Sequence, residues 1–133
     1  MGVTLDTSAL VDVLRGDERV LSTLDELEAK GLTPALSSVA VFEVLSGVEF
    51  TRSRSERVRL ELFLHQIPVE WFDLDSARRA AELRAELMRS GRTPGAPDVM
   101  IAGHALAQGH TLVTRDARLA KAASAYGMAV VSY

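Results

Sequence analysis

Short, continuous runs of apolar residues alternate along the chain with longer stretches in which apolar residues recur at helical spacing. We predict strands at Val3–Leu5, Leu36–Ser38, Ile67–Phe72, Thr111–Val113 and Met128–Val131. Continuous apolar runs are typical of strands that are buried on both faces, as in a parallel sheet. The pattern therefore predicts a mainly parallel central sheet of four to five strands, with helices on both of its faces.

Helical stretches separate these strands, so the two kinds of element alternate along the chain. This order predicts an α/β fold with three layers, α/β/α, built as one domain over residues 1–133. We predict helices over Ser8–Arg15, Asp17–Lys30, Val39–Phe50, Ser53–His65, Asp75–Ser90, Asp98–Gln108 and Asp116–Tyr126.

Some of these positions are predicted to lie in the core. The helix over 75–90 is expected to start at a capping Asp75. Its predicted core positions are Ala77, Ala81, Leu87 and Met88. Trp71, Phe72 and Tyr133 suit either the core or an interface, and we favour the core because aromatic residues are mostly buried.

Composition narrows the class of protein. With 133 residues, 47% of them hydrophobic, the chain is long enough for one core without crosslinks. It has no cysteine, which excludes disulfide scaffolds, thiolate metal sites and cysteine nucleophiles, and three scattered histidines argue against a histidine metal cluster. No apolar run approaches the roughly 20 residues of a membrane span, and the N-terminus does not resemble a signal peptide. We therefore expect a cytoplasmic protein.

The net charge of −3, from 18 acidic and 15 basic residues, excludes an overall basic field of the kind that attracts nucleic acids. Any nucleic-acid binding must then be local. Four arginines lie near the acidic residues considered below and are candidate phosphate contacts, although exposed arginines are common. They are Arg15, Arg92, Arg115 and Arg118. For Arg115→Ala we predict weaker binding of a nucleic acid, with a flatter salt dependence.

Acidic residues follow the predicted strands or open the next helix. Asp6 directly follows the first strand, Glu43 lies one turn into the helix after the second, and Asp116 follows the fourth. Asp98 opens the helix that begins after Pro97. Open parallel sheets place their sites outside the carboxyl ends of the strands, so we expect these four acids to meet at one edge of the sheet.

Each acid also has a purely structural explanation. Asp6, Asp98 and Asp116 are at positions where aspartate caps helices by accepting hydrogen bonds from free N–H groups. Glu43 is harder to explain this way, because apolar neighbours such as Val39 surround it and no basic residue lies within one turn.

Taken together, four carboxylates at one edge would repel each other unless a cation compensates them. Carboxylates without histidine or cysteine select hard ions, and Mg²⁺ or Mn²⁺ fits best. Such ions activate water and neutralise charge in phosphoryl transfer. The residues therefore predict a metal-dependent site for phosphoryl chemistry.

The chain resembles the PIN-domain family, in particular the VapC-type toxin ribonucleases of VapBC toxin–antitoxin pairs, over essentially its whole length. The resemblance rests on the segments 5–10 (Leu-Asp-Thr-Ser-Ala-Leu), 98–102 (Asp-Val-Met-Ile-Ala) and 112–116 (Leu-Val-Thr-Arg-Asp), with the isolated Glu43 between the first two. Many relatives carry an aromatic residue a few positions after the fourth acid, where this chain has Leu119 and Ala120.

This resemblance implies that the acids Asp6, Glu43, Asp98 and Asp116 form the active site and its metal site. We expect Asp6 and Asp98 to be the direct metal ligands, with Glu43 and Asp116 completing the site or orienting the attacking water. The hydroxyl groups that would support them are those of Thr7, Ser8 and Thr114. It also implies Mg²⁺- or Mn²⁺-dependent endonucleolytic cleavage of RNA, a homodimer, and a VapB-type antitoxin whose C-terminal segment occupies the active-site groove.

Other functions of the same fold class fit less well. A haloacid-dehalogenase-type phosphatase needs a second aspartate two residues after the first, where this chain has Ser8. A receiver domain needs paired acids after the first strand, and Asp6 has no acidic neighbour. A non-catalytic RNA- or protein-binding module remains the alternative, and the presence of all four acids argues against it.

Overall fold

The computed structural model describes residues 1–133, and five parallel strands form its central sheet. They are β1 (Gly2–Leu5), β2 (Thr33–Ser37), β3 (Val69–Glu70), β4 (Thr111–Thr114) and β5 (Val130–Ser132). Their order across the sheet is β3-β2-β1-β4-β5, so β1 lies at the centre. The predicted α/β fold with a parallel sheet is confirmed.

Seven helices flank the sheet. They are α1 (Thr7–Leu14), α2 (Glu18–Ala29), α3 (Ser38–Thr51), α4 (Arg54–Gln66), α5 (Leu74–Arg89), α6 (Ala96–Gln108) and α7 (Ala117–Ala125). None of them is both long enough and apolar enough to span a membrane. All seven were predicted, and all of their ends lie within two residues of the predicted ones.

The strand register brings the carboxyl ends of the central strands to one level. Leu5 at the end of β1 pairs with Leu36 of β2 on one side and with Val113 of β4 on the other. Every residue of β1 is buried, as expected for a strand covered on both faces. The chain adds β2 and β3 on one side of β1 and then crosses to β4 on the other. The cleft beside the end of β1 is therefore the topological switch point, where open α/β sheets bind their ligands.

Helix α6 reaches this edge from the opposite direction. It leads into β4 through Gly109, which ends the helix with a left-handed φ of 68°. A helix that precedes a strand in this way runs antiparallel to it, so the N-terminal end of α6 lies near the carboxyl end of β4. The acid in its first turn, Asp98, thereby joins the edge without following a strand.

Helices α5 and α6 pack with almost no space between their backbones. A Cβ added to Gly103 would lie 2.5 Å from the backbone of Ala80. The neighbouring His104 is fully buried and contacts Ser76 Oγ at 3.2 Å and Glu70 Oε1 at 3.1 Å. This contact buries a polar residue, Ser76, at a core position of α5.

The predicted start and core face of α5 are wrong. Asp73, not Asp75, caps the helix by accepting a hydrogen bond from the Ser76 N–H at 2.9 Å. The buried positions are Ser76, Ala80, Leu83 and Leu87. Of the predicted positions only Leu87 is buried, whereas Met88 is 56% exposed. The close contact with α6 and the buried Ser76 determine this face, and neither is visible in the apolar pattern.

The predicted burial of Trp71 is also wrong, since its side chain is 76% exposed. Strand β3 has only two residues and lies at the edge of the sheet, so no element covers the chain that follows it. Phe72 and Tyr133 are half-buried.

Candidate active site

Asp6 is the most deeply placed acid of the site. Its side chain is 2% exposed and caps α1. Oδ1 accepts hydrogen bonds from the Ala9 N–H at 2.8 Å and the Ser8 hydroxyl at 2.7 Å, and Oδ2 accepts one from the Thr114 hydroxyl. Burial raises the pKa of Asp6; these hydrogen bonds act in the opposite direction without cancelling it, and the charge of Asp116 adds to the rise.

Asp116 stands across the cleft, where it caps α7. Its Oδ1 accepts hydrogen bonds from the N–H groups of Arg118 at 2.9 Å and Leu119 at 3.2 Å. Its own N–H donates to Thr114 Oγ1 at 2.9 Å. Thr114 therefore bridges the two acids, because its single hydroxyl accepts from Asp116 and donates to Asp6.

Asp98 makes no capping contact. Helix α6 starts after Gly95 without any side-chain cap, with Pro97 in its first turn. The half-buried Asp98 carboxyl faces the cleft, and burial together with the charges of Asp116, Glu43 and Asp6 raises its pKa to about 6. The capping explanation fails for this residue. The other three acids are therefore close enough for their charges to act on Asp98.

Glu43 approaches the same space from α3. It is half-buried, and its Oε1 accepts a hydrogen bond from the Thr7 hydroxyl at 2.5 Å. Its partner is thus a hydroxyl at the start of α1 and not a basic side chain. The predicted apolar surroundings are only partly present, because the adjacent Phe42 is 66% exposed.

The donor atoms of this site suit a hard divalent cation. All are carboxylate oxygens, which favour Mg²⁺ and Mn²⁺ over softer metals. No three acidic or histidine side chains are grouped closely enough to hold one ion between them. Mg²⁺ is usually bound through one or two carboxylates with water completing its shell. The residues therefore fit such an ion held by two carboxylates.

Two cavities meet the acids from different sides. The larger, about 490 Å³, includes Asp98 and Asp116 in its wall. The smaller, about 270 Å³, is formed by α1, α3 and α4 and includes Thr7 and Glu43. Asp98 and Asp116 thus line one cavity, and Glu43 lines the other.

The family model of the PIN domain matches residues 3–125, which include all four acids. The chain belongs to the PIN-domain family. It is 35% identical to the ribonuclease VapC2 of Rickettsia felis over 92 residues, which cover 68% of this chain and 69% of the relative. It is 37% identical over 84 residues to the tRNA(fMet)-specific endonuclease VapC of Shigella flexneri, covering 62% of this chain. The match spans 64% of that relative's length.

Solved structures match this PIN domain over its full length. The crystal structure of Rickettsia felis VapBC2 bound to a promoter DNA fragment superimposes with a TM-score of 0.82 and 26% sequence identity. The match covers 100% of this chain and 99% of that one. The resemblance to VapC-type PIN domains inferred from the sequence is confirmed.

The four candidate arginines of this PIN domain have different surroundings. Arg92 and Arg118 line the larger cavity, and Arg15 lines the smaller one. Arg115 instead forms a salt bridge with Asp12, its Nε lying 2.7 Å from Oδ2. Contact of any of them with RNA stays a prediction.

Four residues beside the site were not predicted from the sequence as site residues, although Tyr133 was named as a core or interface residue. Lys121 and Arg59 line the larger and smaller cavities, respectively. Lys121 could have been found, because it lies one turn after Arg118 on the helix that follows Asp116. Asp12 and Tyr133 could not, since they meet across 121 positions of the chain.

Proposed function

We propose that this PIN domain is a Mg²⁺- or Mn²⁺-dependent endoribonuclease and the toxin of a VapBC-type pair. The observation that carries the proposal is the placement of carboxylates from separate segments at one edge of the sheet, where burial and the charges of Asp116, Glu43 and Asp6 raise the pKa of Asp98 to about 6. Relatives named ribonuclease and endonuclease support RNA as the substrate. The basic side chains in both cavities support binding of a polyanion.

Asp6 and Asp98 are the proposed metal ligands. A carboxylate oxygen offers two lone pairs, and Oδ1 of Asp6 already accepts two hydrogen bonds. Oδ2 accepts one, from Thr114, and so retains a lone pair for a metal ion. When bound, the ion would lower the pKa of a coordinated water and neutralise charge developing on the phosphate.

The other two acids, Glu43 and Asp116, complete the site or orient the attacking water. The hydroxyl of Thr7 fixes the direction of the Glu43 carboxylate. The backbone N–H groups at the start of α7 do the same for Asp116. Both acids thereby present an oriented oxygen to the cleft at little further cost in side-chain entropy.

The test is to map new 5′-phosphate ends in total RNA incubated with the purified protein, in Mg²⁺ or Mn²⁺ and in EDTA. Asp98→Asn is compared with Asp25→Asn, which removes a carboxylate from the exposed face of α2. We expect discrete metal-dependent ends with wild type and Asp25→Asn and none with Asp98→Asn. Cleavage by Asp98→Asn, or no cleavage with any metal, would favour a non-catalytic binding module.

We further propose a VapB-type antitoxin as the partner, because the solved structures that match this chain include VapBC complexes. We also propose a homodimer and a cytoplasmic location. Sedimentation velocity of the purified chain, alone and with the antitoxin, measures both assemblies. A monomer at all concentrations would contradict the dimer.

A further inference from the structure

Two helix starts carry three of the four acids. Asp6 caps α1, and Thr7 in the first turn of the same helix holds Glu43. Asp116 caps α7. The backbone ladder between these two segments ends at the hydrogen bond from the Asp6 N–H to the Val113 carbonyl oxygen, at 3.1 Å. Beyond that bond, the position of one helix start relative to the other depends on contacts made by side chains.

Arg115 joins the two helix starts at two points. Its backbone N–H donates to Ser8 Oγ at 3.3 Å, and its guanidinium donates to both carboxylate oxygens of Asp12, from Nε at 2.7 Å and from Nη2 at 3.3 Å. Ser8 and Asp12 are four residues apart on α1, so they lie on one face of that helix. Arg118, three residues after Arg115, takes part in no salt bridge. Arg115 alone of the two is therefore fixed to α1.

Asp12 is held by a second donor as well. Its carboxylate is buried, and the hydroxyl of Tyr133, which follows β5, donates to Oδ2 at 2.7 Å. Burial and this hydrogen bond raise the pKa of Tyr133, so its hydroxyl stays a donor at neutral pH. A bidentate, charge-assisted pair fixes direction as well as distance. Arg115 and Tyr133 thus hold the Asp12 carboxylate in one orientation.

The residues on both sides of Arg115 contact the acids of the site. The Thr114 hydroxyl donates to Asp6 Oδ2 and accepts from the Asp116 N–H. The Ser8 hydroxyl, which accepts from the Arg115 N–H, donates to Asp6 Oδ1. A shift of Arg115 would therefore move the hydroxyl groups on both oxygens of Asp6, together with the helix start that carries Asp116.

We propose that Asp12, Arg115 and Tyr133, which we call the α1 anchor, are positioning residues that set the affinity of the site for Mg²⁺ or Mn²⁺. They act through the hydroxyl groups that hold Asp6 and through the helix start that carries Asp116, without contacting the ion themselves. The proposal rests on the proposed function and adds to it three residues outside the four acids on which metal binding depends.

Binding of Mn²⁺ in the absence of RNA tests the α1 anchor separately from cleavage. The Kd of Mn²⁺ is measured by electron paramagnetic resonance, which detects the unbound ion, for wild type and for Asp12→Ala, Arg115→Ala and Tyr133→Phe. These variants remove a negative charge, remove a positive charge and leave the charge unchanged, respectively. Charge alone predicts opposite effects for the first two, because a lost anion weakens the binding of a cation and a lost cation strengthens it.

We expect all three variants to bind Mn²⁺ more weakly than wild type. The Kd is expected to rise by about 10- to 100-fold for Asp12→Ala and Arg115→Ala, as is typical of residues that orient metal ligands, and by about threefold for Tyr133→Phe, which loses one hydrogen bond. Mn²⁺ binding by Arg115→Ala that is as tight as in wild type, or tighter, would overturn the proposal. A wild-type Kd of Tyr133→Phe, which removes only a hydroxyl group, would overturn it as well.

Leu27→Ala is the control for a loss of stability. Leu27 is buried in α2, and its carbonyl oxygen accepts from the Leu32 N–H just before β2 begins, at the edge of the sheet opposite the acids. Its truncation destabilises the core without touching either helix start. We expect its Kd for Mn²⁺ to equal that of wild type at a temperature where circular dichroism shows every variant folded. A loss of affinity as large as in the anchor variants would overturn the proposal, because affinity would then follow stability.

The proposed function and the α1 anchor can fail separately in this design. A wild-type protein that binds Mn²⁺ more tightly than the anchor variants but cuts no RNA would contradict the proposed function alone. Equal Mn²⁺ binding by wild type and the anchor variants, with metal-dependent cleavage, would overturn the anchor alone. A wild-type protein that binds no Mn²⁺ would overturn both.

Discussion

The Arg115 guanidinium donates a hydrogen bond to the Asp12 carboxylate at 2.7 Å, and the Tyr133 hydroxyl donates to the same carboxylate at 2.7 Å. Asp12 is only 5% exposed. The backbone N–H of Arg115 also donates to Ser8 Oγ at 3.3 Å, and the Ser8 hydroxyl donates to Asp6. The Arg115 and Asp12 pair thus holds the turn before α7 against α1, next to the deepest acid of the site.

Asp12→Asn is expected to lower the free energy of unfolding at pH 7 by about 1–3 kcal/mol, because the buried carboxylate accepts charge-assisted hydrogen bonds from the more exposed Arg115 and from Tyr133. Burial acts to raise the pKa of Asp12, but hydrogen bonds from Arg115 and Tyr133 and the Arg115 charge outweigh it and hold the pKa low. Because the pKa of Asp12 is lower in the folded state, the ionised carboxylate stabilises the fold above its unfolded-state pKa near 4. This stabilisation is lost as the pH falls through the folded-state pKa. Urea unfolding at several pH values measures this. Asp25→Asn is the control, and an equal loss there would contradict the prediction.

Asp98 is expected to give the opposite pH dependence. Its pKa is raised to about 6 in the folded state, whereas the unfolded-state pKa is near 4. The contribution of Asp98 to stability is therefore fully present below pH 4 and is lost as the pH rises through 6. In EDTA at pH 7, Asp98→Asn is therefore expected to be more stable than wild type by about 1–2 kcal/mol, with the difference disappearing near pH 4. Added Mg²⁺ is expected to stabilise wild type more than the variant. Urea unfolding with and without Mg²⁺ checks this, and a variant less stable than wild type in EDTA would contradict it.

Thr114 is expected to position the two acids that it joins. Thr114→Val removes the hydroxyl and keeps the shape, so RNA cleavage is expected to fall by about 10- to 100-fold. Thr114→Ser retains the hydroxyl and is expected to restore most of the activity. Initial cleavage rates are measured at several Mg²⁺ concentrations, because misplaced ligands also raise the Mg²⁺ needed for half-maximal rate. Equal activity of the Val and Ser variants would show that the hydroxyl has no such role.

Gly103→Ala is expected to destabilise the fold by about 1–3 kcal/mol, because the added methyl group meets the backbone of Ala80 and the helices must separate. Gly47→Ala is the matched control. Gly47 also lies within a helix, but nothing stands within 4 Å of its added Cβ. That variant is expected to gain about 0.4–1 kcal/mol through the entropy of the unfolded chain. Thermal and urea unfolding of both compare the two sites, and similar effects would contradict the close packing of α5 and α6.

The parts of the fold that could be predicted are those that depend on the pattern of apolar residues within a short segment. Continuous apolar runs gave the strands, and the rule that sites lie at carboxyl ends of strands brought Asp6, Glu43 and Asp116 together. The core face of α5 could not be predicted, because a buried Ser76 and a glycine contact replace the apolar stripe. The exposure of Trp71 depends on the shortness of β3 at the sheet edge.

The hydrogen bonds and salt bridges around the site were harder to predict from the sequence than the acids themselves. The bond from Tyr133 to Asp12 joins residues 121 positions apart, and no periodicity encodes it. The free state of Arg118 and the paired state of Arg115 differ although the residues are three apart. Only the packing of β4 beside β1 decides which of them turns toward α1.

The pairing of β4 with β1 also determines how late during synthesis the four acids of the candidate site can come together. Residues 3–5 pair with residues 111–113, so the central strand lacks one of its two neighbours until most of the chain has been synthesised. Asp98 and Asp116 belong to the same late part. Pairing between such distant segments is slow compared with helix formation. A nascent chain therefore holds no complete set of the four carboxylates until the segment with Asp116 has been made, so the proposed nuclease site forms late in synthesis.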